Sequence, residues 1–181
     1  MKKVVGILAL QGSFAEHGQM LDSLEQDFIW VRTVEDLELV THLVVPGGES
    51  TTLRILLGTS GMWEVFSERM KSKDLCYFGT CAGSILGSDF VDEIKVERNA
   101  YGAQQASFID TLESDLFKDF QGVFIRAPRF GEIDSSVNIL ASFKNDPVLV
   151  QKDNILLATF HPEMTEDGRV HEYFLNRVIS S

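Results

Sequence analysis

The first half of the chain alternates short apolar runs with amphipathic stretches, and this order constrains the fold more than any other feature. Lys3 to Leu10 is a nearly continuous apolar run, β-branched at its start. A strand of that kind is buried on both faces, as in a parallel sheet. Further strands are expected at Phe28–Val31, His42–Val45 and Leu75–Phe78. Between them lie a helix from Ser13 to about Glu25, a helical turn at Asp36–Leu39 and an amphipathic helix at Gly61–Met70. Ser13 is expected to cap its helix, with Glu16 in the capping-box position. The β-α-β-α order predicts an α/β fold: an open, mostly parallel central sheet between two helical layers. The second half is richer in strands, at Ile94–Val96, Gln105–Phe108, Val123–Ile125, Ile139–Phe143, Pro147–Gln151 and Ile155–Phe160. Some of these are expected to be antiparallel. Arg169 to Ile179 reads as a closing helix.

A chain of 181 residues without repeats, linkers or low-complexity segments reads as one domain spanning 1–181. Its formal net charge of −11 disfavours contact with phosphate backbones or anionic lipid. Nucleic acid and membrane are therefore not expected partners, and a small molecule or another protein is. The apolar opening is cut short by Gln11-Gly12, so it reads as a strand and not as a secretory signal. Two cysteines without metal-type spacing suggest neither a disulfide scaffold nor a metal site, and the expected compartment is a reducing cytoplasm.

In open α/β sheets, sites form beyond the carboxyl ends of the strands. Three glycine-containing segments fall there: Gln11-Gly12, Pro46-Gly47-Gly48-Glu49-Ser50 and Gly79-Thr80-Cys81-Ala82-Gly83. The last is G-x-C-x-G between a strand and a helix, the cysteine form of a nucleophile elbow. The nucleophile sits in a strained turn, and small residues two positions to either side permit close backbone approach. The positive end of the following helix favours thiolate. The Ala82 N–H can face a developing oxyanion. Cys76, inside an apolar strand, reads as structural. A cysteine nucleophile needs a base and a group to orient it. His161 follows an apolar run, and Glu163, two residues on, projects to the same side in extended chain. His17, His42 and His171 read as structural or solvated. The expected triad is Cys81, His161 and Glu163.

On these residues the chain resembles the class I (triad) glutamine amidotransferases, whose fold is flavodoxin-like. More narrowly, it is similar to the glutaminase subunits of pyridoxal 5′-phosphate synthase. The matching segments are Leu8-Ala9-Leu10-Gln11-Gly12, Pro46-Gly47-Gly48-Glu49-Ser50-Thr51-Thr52, Phe78-Gly79-Thr80-Cys81-Ala82-Gly83, Val96-Glu97-Arg98-Asn99 with Tyr101-Gly102, Ser107-Phe108, Val123-Phe124-Ile125-Arg126-Ala127-Pro128, and Phe160-His161-Pro162-Glu163 through Asp167. The resemblance implies hydrolysis of L-glutamine to L-glutamate and ammonia through a thioester on Cys81, with His161 moving the protons and Glu163 orienting it. It implies oxyanion N–H groups on Gly48 and Ala82. It implies contacts to glutamine from Gly48, Glu49, Ser50, Arg98, Ile125 and Arg126. Glu49 and Arg98 would complement the ammonium and the carboxylate of that substrate. It further implies a barrel-shaped synthase subunit as partner, with Gln11-Gly12 responding to its docking, and no cofactor.

Three local departures stand against the pattern. Ser84 replaces an aliphatic residue, Ala103 replaces an arginine, and the stretch between Leu86 and Val96 is short. They bear on loop contacts and docking and leave the triad intact. Related folds with cysteine elbows serve as peptidases, deglycases or chaperone-like proteins, but these do not require Glu49, Arg98 and Phe124-Ile125-Arg126-Ala127-Pro128 together. A module that had lost its chemistry would not need the full triad. A glutaminase of another pathway would not need the Pro46–Thr52 and Val96–Asn99 segments.

Overall fold

The structure is a computed structural model, and it describes residues 2–97 and 107–178. The described strands are β1 (Val5–Leu8), β2 (Ile29–Val31), β3 (His42–Val45), β4 (Cys76–Thr80), β5 (Ile94–Glu97), β6 (Ser107–Thr111), β7 (Gln121–Ile125), β8 (Arg129–Ile133), β9 (Asn138–Phe143), β10 (Asp146–Lys152) and β11 (Ile155–Ala158). The described α-helices are α1 (Phe14–Ser23), α2 (Val34–Leu39), α3 (Ser50–Thr59), α4 (Met62–Ser72), α5 (Ala82–Gly87) and α6 (Arg169–Arg177).

Seven strands form one sheet in the order β2-β1-β3-β4-β11-β10-β9. The first five run parallel, β10 pairs antiparallel with β11, and β9 pairs antiparallel with β10. The expected mixed α/β sheet is therefore present. Two antiparallel pairs, β5 with β8 and β6 with β7, stand apart from it.

The period-2 alternation of the strands divides the core in two. Val44, Phe78 and Leu156 face one side, with Leu21 of α1, Phe174 of α6 and Phe124 of β7. Leu43, Val45, Tyr77 and Leu157 face the other, with Leu37 of α2, Leu53 of α3, Phe66 of α4 and Leu86 of α5. Helices thus cover both faces, because each central strand is apolar on both sides.

The helices follow from local chemistry. Met62, Phe66 and Met70 repeat every four residues and bury one face of α4. That helix stops at Lys73, which takes a left-handed conformation. Thr33 and Asp36 form a capping box that starts α2.

The structure corrects several sequence expectations. Ser13 precedes α1 but makes no side-chain cap, so no Ser13–Glu16 capping box forms. Its hydroxyl is committed to Glu163 instead. The apolar run at Lys3–Leu10 is strand only over Val5–Leu8, and the run at Ile155–Phe160 only over Ile155–Ala158. The helix α3 and the strand β8 were not expected. The expected strand Gln105–Phe108 lies partly outside the described residues, and β6 covers Ser107–Thr111.

Candidate active site

The sheet order decides what meets at its edge. Strands β1, β3, β4 and β11 are consecutive parallel neighbours, so their carboxyl ends line up. Gln11-Gly12 follows β1, Gly47–Ser50 follows β3, Cys81 follows β4 and His161 follows β11. Segments far apart in sequence therefore converge on one edge of the sheet.

Cys81 is the turn between β4 and α5. Its backbone has φ 47° and ψ −107°, a strained conformation for a residue with a side chain. The surroundings hold it there. Its N–H donates to the Ala158 carbonyl at 2.8 Å, and its own carbonyl accepts the Ser84 N–H at 3.0 Å and the Ser84 hydroxyl at 2.7 Å. The departure at Ser84 thus supplies a bond to the elbow itself. The flanking glycines are required sterically. A Cβ on Gly83 would collide with the Val45 carbonyl oxygen, and one on Gly79 with the Gly83 carbonyl. Tyr77, fully buried, donates its hydroxyl to that Gly83 carbonyl at 2.6 Å. The thiol reaches the Ile125 carbonyl at 3.8 Å. Cys76 is buried in the core, as expected.

His161 lies three residues past β11, and its N–H donates to the Val123 carbonyl of β7 at 2.8 Å. Residues Pro162–Met164 form a 3-10 turn and not the extended chain expected of them. The side chains nevertheless meet: His161 Nδ1 lies 2.7 Å from Glu163 Oε1. With Nδ1 on the carboxylate, Nε2 is left for Cys81. Burial opposes the charged imidazole, but hydrogen bonds to Cys81 and Glu163, and their charges, outweigh it and push the His161 pKa to about 10. For Glu163 burial opposes the charged form too. Electrostatic attraction to His17 and His161 and the hydrogen bonds from His161 and Ser13 hold it down to about 2. An oriented, charged imidazole beside a thiol is the arrangement that makes and uses a thiolate.

Two side chains at Glu163 were not expected there. Ser13 donates its hydroxyl to Oε1 at 2.7 Å, which is why it does not cap α1. His17 is fully buried, with Nε2 3.5 Å from Glu163 Oε2. Their four-residue spacing on one face of α1 was the available signal. His42 is structural, as expected, with its ring nitrogens 3.0 Å from Thr41 Oγ1 and 3.2 Å from the Val178 carbonyl.

The thiol opens on a cleft of about 480 Å³ lined by Gly48, Glu49, Ser50, Cys81, Ala82, Ile85, Arg126 and Pro128. A smaller recess of about 220 Å³ on its other side is bounded by Gly12, Ser13, Ile125 and His161. Of the expected substrate contacts, Gly48, Glu49, Ser50, Ile125 and Arg126 are thus brought to the site. Arg98 lies outside the described residues. Glu49 is also structural, since its carboxylate caps α3, accepting the N–H groups of Thr51 and Thr52 and the Thr52 hydroxyl. These bonds, the Thr52 hydroxyl first, hold Glu49 charged, with a pKa of about 2. Gln11 Oε1 accepts the Glu49 N–H at 3.1 Å, and the Ser13 N–H donates to the Gly47 carbonyl at 3.1 Å. The β1 loop is thereby laced to the β3 loop. Gly12, at φ 84°, sits so close that a Cβ would overlap the Gly47 carbonyl oxygen. A larger depression, about 620 Å³ and lined by Asp119, Asp167 and Arg169 among others, contains none of these groups. Among the described residues, no three His, Cys, Asp or Glu side chains are grouped to hold a metal ion.

Known proteins match this chain over nearly its whole length. A protein from Thermosipho africanus described as pyridoxal 5′-phosphate synthase subunit PdxT is 44% identical, covering 96% of this chain and 98% of its own. The protein of the same description from Thermus thermophilus is also 44% identical, covering 97% of both. A crystal structure described as a glutamine amidotransferase superposes with a TM-score of 0.87 at 44% identity, over 95% of this chain and 97% of that one. The model of the SNO glutamine amidotransferase family matches residues 7–180, and the chain belongs to that family.

Proposed function

We propose that this chain is the glutaminase subunit of a pyridoxal 5′-phosphate synthase, a single-domain cytoplasmic enzyme that releases ammonia from L-glutamine for a synthase partner. The observation that carries the reading is the Cys81–His161–Glu163 array at the mouth of a cleft walled by Gly48, Glu49 and Arg126. Cys81 Sγ attacks the side-chain amide carbon of glutamine, and the oxyanion is met by N–H groups at Gly48 and Ala82. His161 protonates the departing nitrogen, which leaves as ammonia, and a glutamyl thioester remains. His161 then takes a proton from water, the hydroxide attacks the thioester, and glutamate departs as the thiol is restored. Glu49 faces the substrate ammonium with the acceptor capacity its helix cap leaves free, and Arg126 faces its carboxylate, a role the family resemblance also implies for Arg98.

The partner is a synthase subunit, as the names of the relatives indicate for those proteins. Its docking reorganises the Gln11-Gly12 segment, which is bonded to the oxyanion-hole loop. The isolated subunit therefore has low activity. The test is glutamate release from glutamine, with and without a cognate synthase, for wild type and Cys81→Ala. Stimulation by the synthase that Cys81→Ala abolishes supports both the triad and the partner. Strong activity without synthase removes the docking switch, and full activity in Cys81→Ala removes the triad.

A further inference from the structure

One oxygen of the Glu163 carboxylate takes two hydrogen bonds, and only one of the two donors belongs to the triad. Oε1 receives His161 Nδ1 and Ser13 Oγ, each at 2.7 Å, while Oε2 is buried, has no hydrogen-bond partner among the described residues and has His17 Nε2 3.5 Å away. The same His17 nitrogen lies 3.1 Å from Thr80 Oγ1, on the residue before the nucleophile. Behind His17, its Nδ1 lies 2.8 Å from Nε2 of His171, which is also fully buried. Phe78 packs edge-on against both rings.

Hydrogen-bond bookkeeping selects one proton arrangement. His171 Nδ1 is buried and has no hydrogen-bond partner among the described residues. A proton there would be an unmade donor in the core, whereas a bare lone pair is less costly. His171 therefore carries its proton on Nε2 and donates it to His17 Nδ1. His17 in turn carries its proton on Nε2, directs it at Thr80 Oγ1 and turns that edge toward Glu163 Oε2. The opposite arrangement would bury an orphan N–H on His171 and set a lone pair of His17 against the carboxylate. Both rings are held neutral. Burial, reinforced by the neighbouring His161, lowers His17 against the pull of Glu163 and Glu16. Burial and the adjacent His17 hold His171 at about 3, against the pull of Glu163.

We infer that Ser13, His17 and His171 are positioning residues of the glutaminase: Ser13 bonds the Glu163 carboxylate directly, the neutral His171–His17 pair turns an N–H edge toward its other oxygen, and together they fix the carboxylate and so the ring of His161. A cation in their place would compete with His161 for the carboxylate. Two oriented neutral dipoles stabilise its charge and leave that charge to His161. The inference rests on the reading that Glu163 orients His161.

The test uses the subunit in complex with its synthase, in wild type, Ser13→Ala, His17→Gln and His17→Leu. Ser13→Ala removes only a hydroxyl and guards against loss of fold in the core variants. Ser13→Ala should lower kcat roughly tenfold or more with KM little changed, the scale of one hydrogen bond to a charged group, and His17→Leu should lower kcat in the same direction. His17→Gln retains a donor near Nε2 and should recover part of that loss. The far-downfield proton of the His161 Nδ1–Glu163 bond should move in Ser13→Ala. Nitrogen-15 spectra of wild type should show His17 and His171 as neutral Nε2–H tautomers. An Nδ1–H tautomer of His17, or unchanged kcat and an unmoved His161 proton in Ser13→Ala, would overturn the inference. If Cys81→Ala is inactive in the same assay, that failure belongs to the positioning residues alone. Full activity in Cys81→Ala would instead remove the underlying reading.

Discussion

Acid should unfold this protein earlier than its carboxylates alone would require, because of His171. In the fold that ring is fully buried and its pKa stands at about 3, against an ordinary value of 6.5. As pH falls below 6.5, the unfolded chain takes up a proton that the folded chain refuses. Stability contributed by the neutral ring is whole above 6.5 and is lost progressively toward pH 3. A difference of one pH unit in proton affinity is worth about 1.4 kcal/mol, so roughly 3 kcal/mol has gone by about pH 4. That is a large share of the ~5–15 kcal/mol of a typical domain. Glu163 acts in the same direction but later. Its pKa is lowered from 4.5 to about 2, so its contribution is whole above 4.5 and is lost below. The interval between about pH 6 and pH 5 therefore isolates histidine. His17 and His42 are also lowered, so the comparison needs a variant. His171→Phe keeps a ring against Phe78 and leaves only a lone pair unmatched on His17. Urea unfolding of both proteins across that interval gives stability against pH. The wild-type curve should be steeper by one proton, about 1.4 kcal/mol per pH unit. Parallel curves would refute a buried neutral His171.

Three further outcomes are expected. Glu163→Gln keeps the shape but not the charge that holds His161, so kcat should fall by roughly 10²–10⁴-fold; glutamate release within a few-fold of wild type would contradict that role. The charged His161 is favoured up to about 10, so the imidazolium beside Cys81 and Glu163 is lost only above that pH. The alkaline limb of kcat/KM should fall near there, and a limb near the ordinary 6.5 would contradict the coupling. Tyr77→Phe strands the Gly83 carbonyl in the core; thermal unfolding should report a loss of about 1–2 kcal/mol, or roughly 3–6 °C.

Sequence patterns made the sheet readable where burial repeats locally. The apolar runs of β1, β3, β4 and β11 are buried on both faces, and such runs need no knowledge of their neighbours. The elbow at Cys81 was legible for a related reason: its glycines answer to contacts within the same turn and the adjacent strand. The helix α3 was missed because its N-cap is Glu49, outside the usual Ser, Thr, Asp and Asn, and because Thr51-Thr52 look β-prone. The strand β8 was missed because it holds Gly131 and pairs with β5 across a register shift.

The carboxylate side of the site was invisible for a different reason. His161 and Glu163 are two residues apart, so their pairing could be guessed even though the backbone between them turns where an extended chain was expected. Ser13 and Glu163 are separated by 150 residues, and His17 and His171 by 154. No local pattern joins them. They meet because the sheet order aligns the ends of β1 and β11 on one edge, and α1 leaves β1 directly beneath the turn that bears Glu163. Ser13 also illustrates how a local rule fails. Its position before a helix, three residues ahead of Glu16, satisfies the capping pattern, and in isolation the box would form. A buried carboxylate is the stronger claim on one hydroxyl, since an unmet charge in the core costs more than a frayed N-terminus at the surface. Competition of this kind is decided by tertiary structure, and at an active site it is decided in favour of the charge.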